Sequence, residues 1–359
     1  MPPRVTLHDI ANEAGLSTFT VSKALNGGKG VSAKSRDHVL AVARSLGYVA
    51  NLAAQELRGS VRSSVAVITA GTTNAYYLDM MNGIQRAMQD TNQSVVLMDI
   101  AINGVYDEGL EDRTIQRLLE ARMSGVISTL TLKPESIERL AQWDIPVVFV
   151  DSSPPEGMAH LPSVTTDNYN ASLLVGEHLA EHGYMDWLFL VYPGIWSSRE
   201  DRERGLREAA RRCGAEVQVI ESANDAASAR QILSDAFDAR GGKLPEVLIA
   251  GNSPLLLGAL TTMRERGIIV PHDMPIVSYD DFSWAPFIEP PLTVLDERSE
   301  EIGRRAAETL IRIIGEQIEA GKSGETAAPS YRDEFKQQVP VGLIVRRSCG
   351  CGAEEASDT

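Results

Sequence analysis

A chain of 359 residues, 43% hydrophobic and 23% charged, is too long for one average core and suits a small domain beside a two-lobed one. Its formal charge of -15 argues against indiscriminate binding to nucleic acid, yet residues 1–62 hold eight Lys or Arg against four acids, leaving -19 on the remainder. Three cysteines suit a reducing cytoplasm rather than a disulfide framework, and neither a signal peptide nor the roughly 18 apolar residues of a membrane span is visible, which predicts a cytoplasmic protein with no membrane partner.

Thr6 is placed to cap a short helix in which Ile10, Ala11 and Ala14 share a face and Gly15 ends the run. Ser17 caps a second helix, Thr18 to Asn26, with Val21 and Leu25 inward. Ser32 caps a third, reaching Leu46, with Val39, Val42 and Ala43 inward and Gly47 as terminator. Short helices with a glycine turn between the first two make a helix-turn-helix unit, whose second helix enters the major groove of DNA. Thr18, Phe19 and Lys23 sit at its leading end and outer face. They offer a hydroxyl, an aromatic ring for a thymine methyl or sugar, and an ammonium for guanine or phosphate. Each also reads as an ordinary solvated residue, exposed Phe19 least readily.

Residues 51–58, capped by Asn51, are helix-prone but span only about two turns, which is marginal for an isolated helix. Two copies meeting over DNA would give the segment a reason to fold, with Leu57 wedged between base steps in the minor groove; the alternative is a plain linker helix.

From Ser64 apolar runs alternate with helical stretches. Strands are predicted at 65–70, 95–100, 125–129 and 147–150, with helices near 77–91, 109–121 and 134–142. A second set has strands near 187–191, 216–220, 247–250 and 276–278, and helices near 171–181, 200–213, 227–239 and 254–266. That rhythm means two parallel sheets covered on both faces. A late helix, 297–319, and a strand, 341–346, complete the body. Ligands of such sheets lie beyond the carboxyl ends of the strands. The strand-end polar residues Asn74, Tyr76, Tyr77, Asp151, Trp196, Arg202, Asn252 and Asp280 are therefore the candidate pocket, although loops after strands are polar in any case. Aromatic faces pack on the apolar edges of sugar rings, while Arg, Asn and Asp pair with hydroxyls.

An enzyme built on the same body is the first rival, but no Gly-x-Ser-x-Gly elbow, Walker loop or His-Glu-x-x-His is present, and the glycines of 27–30 follow a helix rather than a strand. An exported sugar-binding protein would have no use for residues 1–62. No catalytic residues, cofactor or metal are assigned. His178 and His182 lie four apart on a helix but lack visible partners, and Cys349-Gly-Cys351 would need further thiolates, so residues 349–359 read as a disordered tail.

The stretches Val5 to Ser17, Thr20 to Asn26 and Val31 to Arg36 resemble the head of the lactose and galactose repressor family. The likeness runs on through Asn74-Ala-Tyr-Tyr77, Thr166-Asp-Asn168, Arg202-Glu-Arg-Gly205, Ser278-Tyr-Asp-Asp281, Pro290-Pro-Leu-Thr293 and Val345-Arg-Arg-Ser348. It implies that Thr18, Phe19 and Lys23 help to read an operator, that Leu57 inserts at its central step, and that Tyr48, Asn51 and Ala54 belong to the hinge wording. Thr6, Ser17, Thr20, Ser22, Asn26 and Ser32 complete the implied DNA surface. Lys23 stands where some members have arginine, which weakens a bidentate guanine contact. Two further departures are Gly251-Asn-Ser253 in place of an Asn-Asp pair, and Asn170 in place of a glycine.

The resemblance implies an α/β protein: an N-terminal three-helix helix-turn-helix domain (1–50), a hinge helix and linker (51–63), and a two-lobed periplasmic-binding-protein-like body (64–348). The expected N-lobe takes 64–165 and 294–325, and the C-lobe 166–291 and 326–348. The expected partners are a near-palindromic double-stranded operator, a carbohydrate effector and a second copy of the chain, with a tetramer left open. The expected role is a repressor whose operator affinity the effector controls; whether it releases or promotes DNA binding is left open.

Overall fold

The computed structural model describes residues 5–25, 28, 30–48, 64–69, 74–91, 93–102, 105–323 and 331–352. They divide into two units, Met1–Arg62 and Ser63–Thr359. Asn26 and the hinge residues Asn51, Ala54 and Leu57 lie outside the described residues.

The first unit contains α1 (Leu7–Ala14), α2 (Thr18–Leu25) and α3 (Ala33–Ser45). Thr6 and Asp9 cap α1 reciprocally: the Thr6 N–H donates to Asp9 Oδ2 at 2.7 Å and the Asp9 N–H to Thr6 Oγ1 at 3.3 Å. Such a cap contributes about 1 kcal/mol. Gly15 ends α1 with φ 65, the left-handed conformation that a side chain would strain. Ile10, Val21 and Val39 meet with no exposed surface, so the helical period seen in the sequence does supply the core.

The body begins with β1 (Ser64–Thr69), α4 (Ala75–Met88), β2 (Ser94–Asp99), the short hairpin β3 (Ala101–Ile102) and β4 (Val105–Tyr106), and α5 (Glu108–Glu120). It continues through β5 (Gly125–Ser128), α6 (Pro134–Ala141), β6 (Val147–Val150) and β7 (Ser163–Thr166). The second lobe holds α7 (Asn168–Glu181), β8 (Asp186–Val191), α8 (Ser198–Cys213), β9 (Glu216–Glu221), α9 (Ala226–Ala239), β10 (Val247–Ala250), α10 (Ser253–Arg266), β11 (Ile276–Ser278) and β12 (Thr293–Asp296). The chain closes with α11 (Ser299–Ser323), β13 (Lys336–Val339) and β14 (Gly342–Ile344).

One sheet runs β13-β7-β6-β5-β1-β2, parallel throughout; the other runs β14-β12-β11-β10-β8-β9, with β14 antiparallel. Central strands such as Val147–Val150 and Val247–Ala250 are buried at every residue, as helices on both faces require. The edge strands Ser94–Asp99 and Glu216–Glu221 are partly exposed and carry polar residues, which blunts their open edges.

The lobe boundaries need correction. Residues 294–296 belong to β12 in the C-lobe sheet rather than to the N-lobe, and 336–339 form β13 beside β7 in the N-lobe sheet rather than in the C-lobe. The expected strand at 341–346 is thus preceded by another in the opposite lobe, with Pro340 between them. β7 and β13 are short and rich in Ser, Thr and Gln, so no hydrophobic pattern marks them; their pairing is set across the fold. Residues 349–352 also belong to the described fold rather than to a disordered tail. Cys349 is fully buried, and Ser348 Oγ donates to the Ile276 carbonyl at 2.7 Å while accepting the Thr293 N–H at 2.8 Å.

Helices α4 and α11 cross where two glycines allow it. A Cβ on Gly83 would stand 1.9 Å from the Glu300 carbonyl oxygen, and one on Gly303 would stand 2.2 Å from that of Met80. Gly205 does the same for α8, where a Cβ would come within 2.4 Å of the Tyr169 carbonyl oxygen. Its place in the Arg-x-x-Gly wording therefore reflects helix packing.

Candidate functional site

Strands β6 and β11 each deliver an aspartate to one cleft in the same backbone conformation. Asp151 follows Val150 with φ 54, and Asp280 follows buried Tyr279 with φ 66. Left-handed non-glycine residues cost of order 1 kcal/mol or more, which Asp tolerates better than most. A narrow cleft, partly open to solvent, lies between the lobes. Asn74, Tyr76, Tyr77 and Asp151 line it from one lobe; Trp196, Arg202, Asn252 and Asp280 line it from the other. The structure thus brings together all of the strand-end residues singled out by sequence. Tyr192, Ser198 and Asn224 join them. Tyr192 and Asn224 follow β8 and β9 closely, so the strand-end rule could have found both.

Several lining residues also organise their loops. Asn74 caps α4, accepting the Tyr76 N–H at 3.0 Å, and Asn252 caps α10, accepting the Leu255 N–H at 3.2 Å. Ser253, standing where the family wording has an acid, donates its N–H and Oγ to Asp280 Oδ2 at 2.9 and 3.0 Å. Asn170 bonds to Asp167 through its backbone and side-chain nitrogens, at 3.1 and 2.6 Å, reinforcing the start of α7.

Arg202, 2% exposed, is held from three sides. Its Nε donates to Asn168 Oδ1 at 2.8 Å, Nη1 to the Gly251 carbonyl at 2.7 Å, and Nη2 to Glu297. The guanidinium also lies 4.3 Å from the Tyr279 ring centre. Glu297 was expected inside the late helix; the structure instead leaves it before α11, 2% exposed, with the left-handed Arg298 (φ 51) breaking the run. It is the main residue that sequence reasoning missed, since nothing local distinguishes it from the helical glutamates that follow.

One guanidinium therefore faces Asp151, Asp280 and Glu297. Burial drives the Glu297 carboxyl well above the usual range, against the pull of Arg202 and helped by Asp280. Burial likewise pushes Asp151 up to about 7, with Arg202 opposing and Asp280 adding. The Tyr76 hydroxyl faces Asp151 and draws its carboxyl down a little, and among the described residues Tyr76 OH, Asp151 Oδ1 and Trp196 Nε1 are buried with no well-formed hydrogen bond. Tyr192 and Trp196 meet edge to face at 5.8 Å, giving this polar trio an aromatic wall.

In the first unit, Thr18 and Phe19 are exposed at the start of α2, and Lys23 Nζ lies 4.9 Å from the Phe19 ring centre. Ser17 Oγ accepts the Thr20 N–H at 3.1 Å. Thr6 and Ser32 are exposed caps, Ser22 is half-buried beside Lys23, and Tyr48 packs partly on the core. Thr18, Phe19 and Lys23 thus share one accessible helix surface.

A helix-turn-helix head and a two-lobed α/β body around a polar, aromatic cleft define a DNA-binding regulator with a sensing domain. Residues 62–334 match the family described as periplasmic binding proteins and sugar binding domain of LacI family, and residues 6–51 match the bacterial regulatory proteins of the lacI family. The chain belongs to the LacI family and is a DNA-binding transcriptional repressor with a sugar-binding-type body. It is 23% identical over 313 residues to the HTH-type transcriptional repressor PurR of Vibrio cholerae, covering 86% of this chain and 91% of that one. It is 27% identical over 350 residues to the ribose operon repressor of Bacillus subtilis, covering 96% and 98%. The Lac repressor dimer bound to operator and the anti-inducer ONPF aligns with TM-score 0.78 and 25% identity, over 97% of this chain and 99% of that one. No helix among the described residues is long and apolar enough to cross a membrane.

Proposed function

We propose that a small polyhydroxylated ligand, a sugar or sugar derivative, occupies the interlobe cleft and sets the affinity of a two-fold dimer for a near-palindromic operator. The observation that carries this reading is the buried trio of Tyr76 OH, Asp151 Oδ1 and Trp196 Nε1, left without a well-formed hydrogen bond among the described residues and set beside an aromatic wall. An unmet buried polar group costs about 1–3 kcal/mol, so a ligand that supplies hydroxyls at these atoms recovers that cost while its C–H edges pack on the rings. Ribose operon repressors among the relatives support the ligand class, and a Lac repressor dimer on its operator supports the assembly.

In this reading Tyr76, Tyr77, Asp151 and Trp196 touch the ligand, while Asn74, Arg202, Asn252 and Asp280 hold the wall and offer their remaining polar atoms. Thr18, Phe19 and Lys23 read base edges, Thr6, Ser17, Thr20, Ser22, Asn26 and Ser32 complete the DNA surface, and Tyr48, Asn51, Ala54 and Leu57 act as the hinge. The protein works in the cytoplasm as a regulator and not as an enzyme. The ligand shifts operator affinity only by the difference in its affinity for the two states of the body.

The test is a thermal-shift screen of the full chain with pentoses, hexoses, their phosphates and purines. A stabilising sugar whose effect disappears in Trp196→Ala supports the reading, since a ligand at about 100 times its Kd adds about 2.7 kcal/mol. Stabilisation by purines alone would overturn the ligand class and leave the regulator standing.

A further inference from the structure

His178 and His182, one helical turn apart at the end of α7, meet the two cysteines of the carboxyl-terminal segment. One nitrogen of each histidine and both cysteine sulfurs lie within 4.8 Å of one another. His182 Nε2 is 3.1 Å from Cys351 Sγ, and the two imidazole rings stand edge to face at 4.8 Å. Among the described residues His178 Nε2 is buried without a well-formed hydrogen bond. The i, i+4 spacing puts both rings on one face of the helix. Gly350, at φ 98, turns the chain between Cys349 and Cys351 where a Cβ would stand 2.6 Å from the Tyr184 hydroxyl.

The surroundings hold these four groups in place. Thr293 Oγ1 donates to Cys349 Sγ at 3.1 Å, Tyr184 OH donates to the Cys349 carbonyl at 2.9 Å, and the Tyr184 ring stacks on His182 at 5.4 Å. Zinc bonds of 2.0–2.1 Å to nitrogen and 2.3 Å to sulfur place tetrahedral donors roughly 3.3–3.8 Å apart, so the cluster needs to contract by only about 1 Å. Two imidazoles and two thiolates form a soft, closed donor set that suits zinc rather than magnesium or calcium. The two thiolates cancel the charge of a divalent ion, which lessens the cost of burying it.

We propose that His178, His182, Cys349 and Cys351 form a tetrahedral structural site for zinc that staples the carboxyl-terminal segment to the end of α7. Binding replaces the thiol protons, including the one that Cys349 now directs to the Arg346 carbonyl at 3.2 Å. The other end of α7 carries Asn168, which holds Arg202 at the cleft; ten residues of helix put the two sites roughly 15 Å apart along its axis. The ion acts as a fold clamp, independent of the effector.

The test is elemental analysis of the full chain, produced in zinc-supplemented medium, handled without chelator under argon and freed of loose metal by gel filtration. About one zinc per chain is expected in the parent, falling at least tenfold in the His182→Gln/Cys351→Ser double variant. Cobalt(II) added to the metal-free parent should give the visible bands of a tetrahedral ion with a thiolate charge-transfer band. A parent that holds neither zinc nor cobalt, a double variant with undiminished zinc, or a Cys349–Cys351 disulfide persisting under argon overturns the proposal. Should the double variant not fold, the cobalt spectrum of the parent decides: octahedral bands without thiolate charge transfer reject the site.

Discussion

Arg202 and Glu297 form an ion pair across 95 residues of sequence, with side chains 3% and 1% exposed. Burial pushes the Glu297 carboxyl toward its neutral form and Arg202 is the group that opposes this, so removing the guanidinium leaves a buried carboxyl unpaired, and removing the carboxyl leaves a buried cation unpaired. Arg202→Ala should therefore lower the unfolding free energy by about 3–5 kcal/mol, well beyond the loss of a single ligand contact. The double variant Arg202→Met/Glu297→Gln should recover much of it. Urea denaturation of the parent, both singles and the double decides; a fully stable Arg202→Ala would show that the pair does not support the lobe.

The carboxylate cluster gives stability a definite pH dependence. Because the folded Asp151 carboxyl titrates near 7 and an unfolded one near 4, both states are protonated below about pH 4 and this contribution to stability is whole. Between about 4 and 7 the unfolded chain releases its proton first, so stability falls as pH rises, and the loss is complete above 7. Asp151→Asn should flatten that part of the curve, gaining on the parent at pH 8 but not at pH 4. Denaturation at a series of pH values measures this, and parallel curves would remove Asp151 from the cluster.

The crossing of α4 and α11 makes a prediction with an internal control. Gly303→Ala drives a methyl group into the Met80 backbone and should destabilise by about 1–3 kcal/mol. Gly315→Ala on the same helix meets nothing within 4 Å among the described residues and should be neutral or stabilising by up to about 1 kcal/mol. Equal midpoints in thermal unfolding would contradict the close approach.

For DNA, Phe19→Ala should weaken binding to a selected operator by about 1–3 kcal/mol while leaving the salt slope unchanged. Lys23→Ala should reduce that slope by about one if the ammonium meets phosphate, and leave it nearly unchanged if it meets a base. Anisotropy titrations at several salt concentrations separate these effects. Undiminished operator affinity in Phe19→Ala would remove the ring from the reading surface.

The strand-end rule made Asp151, Trp196 and Asp280 legible, because parallel sheets place their ligands at one end and polar residues there stand out against buried strands. Helix caps such as Thr6 and Ser32 were equally plain. Glu297 was not, since only the left-handed Arg298 separates it from a helical pattern that would otherwise include it. Strand β13 escaped because Lys336-Gln-Gln-Val339 gains its place by pairing with β7, far away in sequence. The histidine and cysteine cluster failed for the same reason: each pair looked incomplete until folding joined them.

In the proposed function the cleft and the DNA-reading head are energetically coupled. Operator sites selected from random duplexes by the full chain can be titrated with and without the sugar found by thermal shift, in the parent and in Trp196→Ala. A saturating ligand is expected to change parental operator affinity by about 1–3 kcal/mol, in either direction, and to leave Trp196→Ala unmoved. A sugar that saturates the cleft by calorimetry yet leaves parental operator affinity the same would contradict the account.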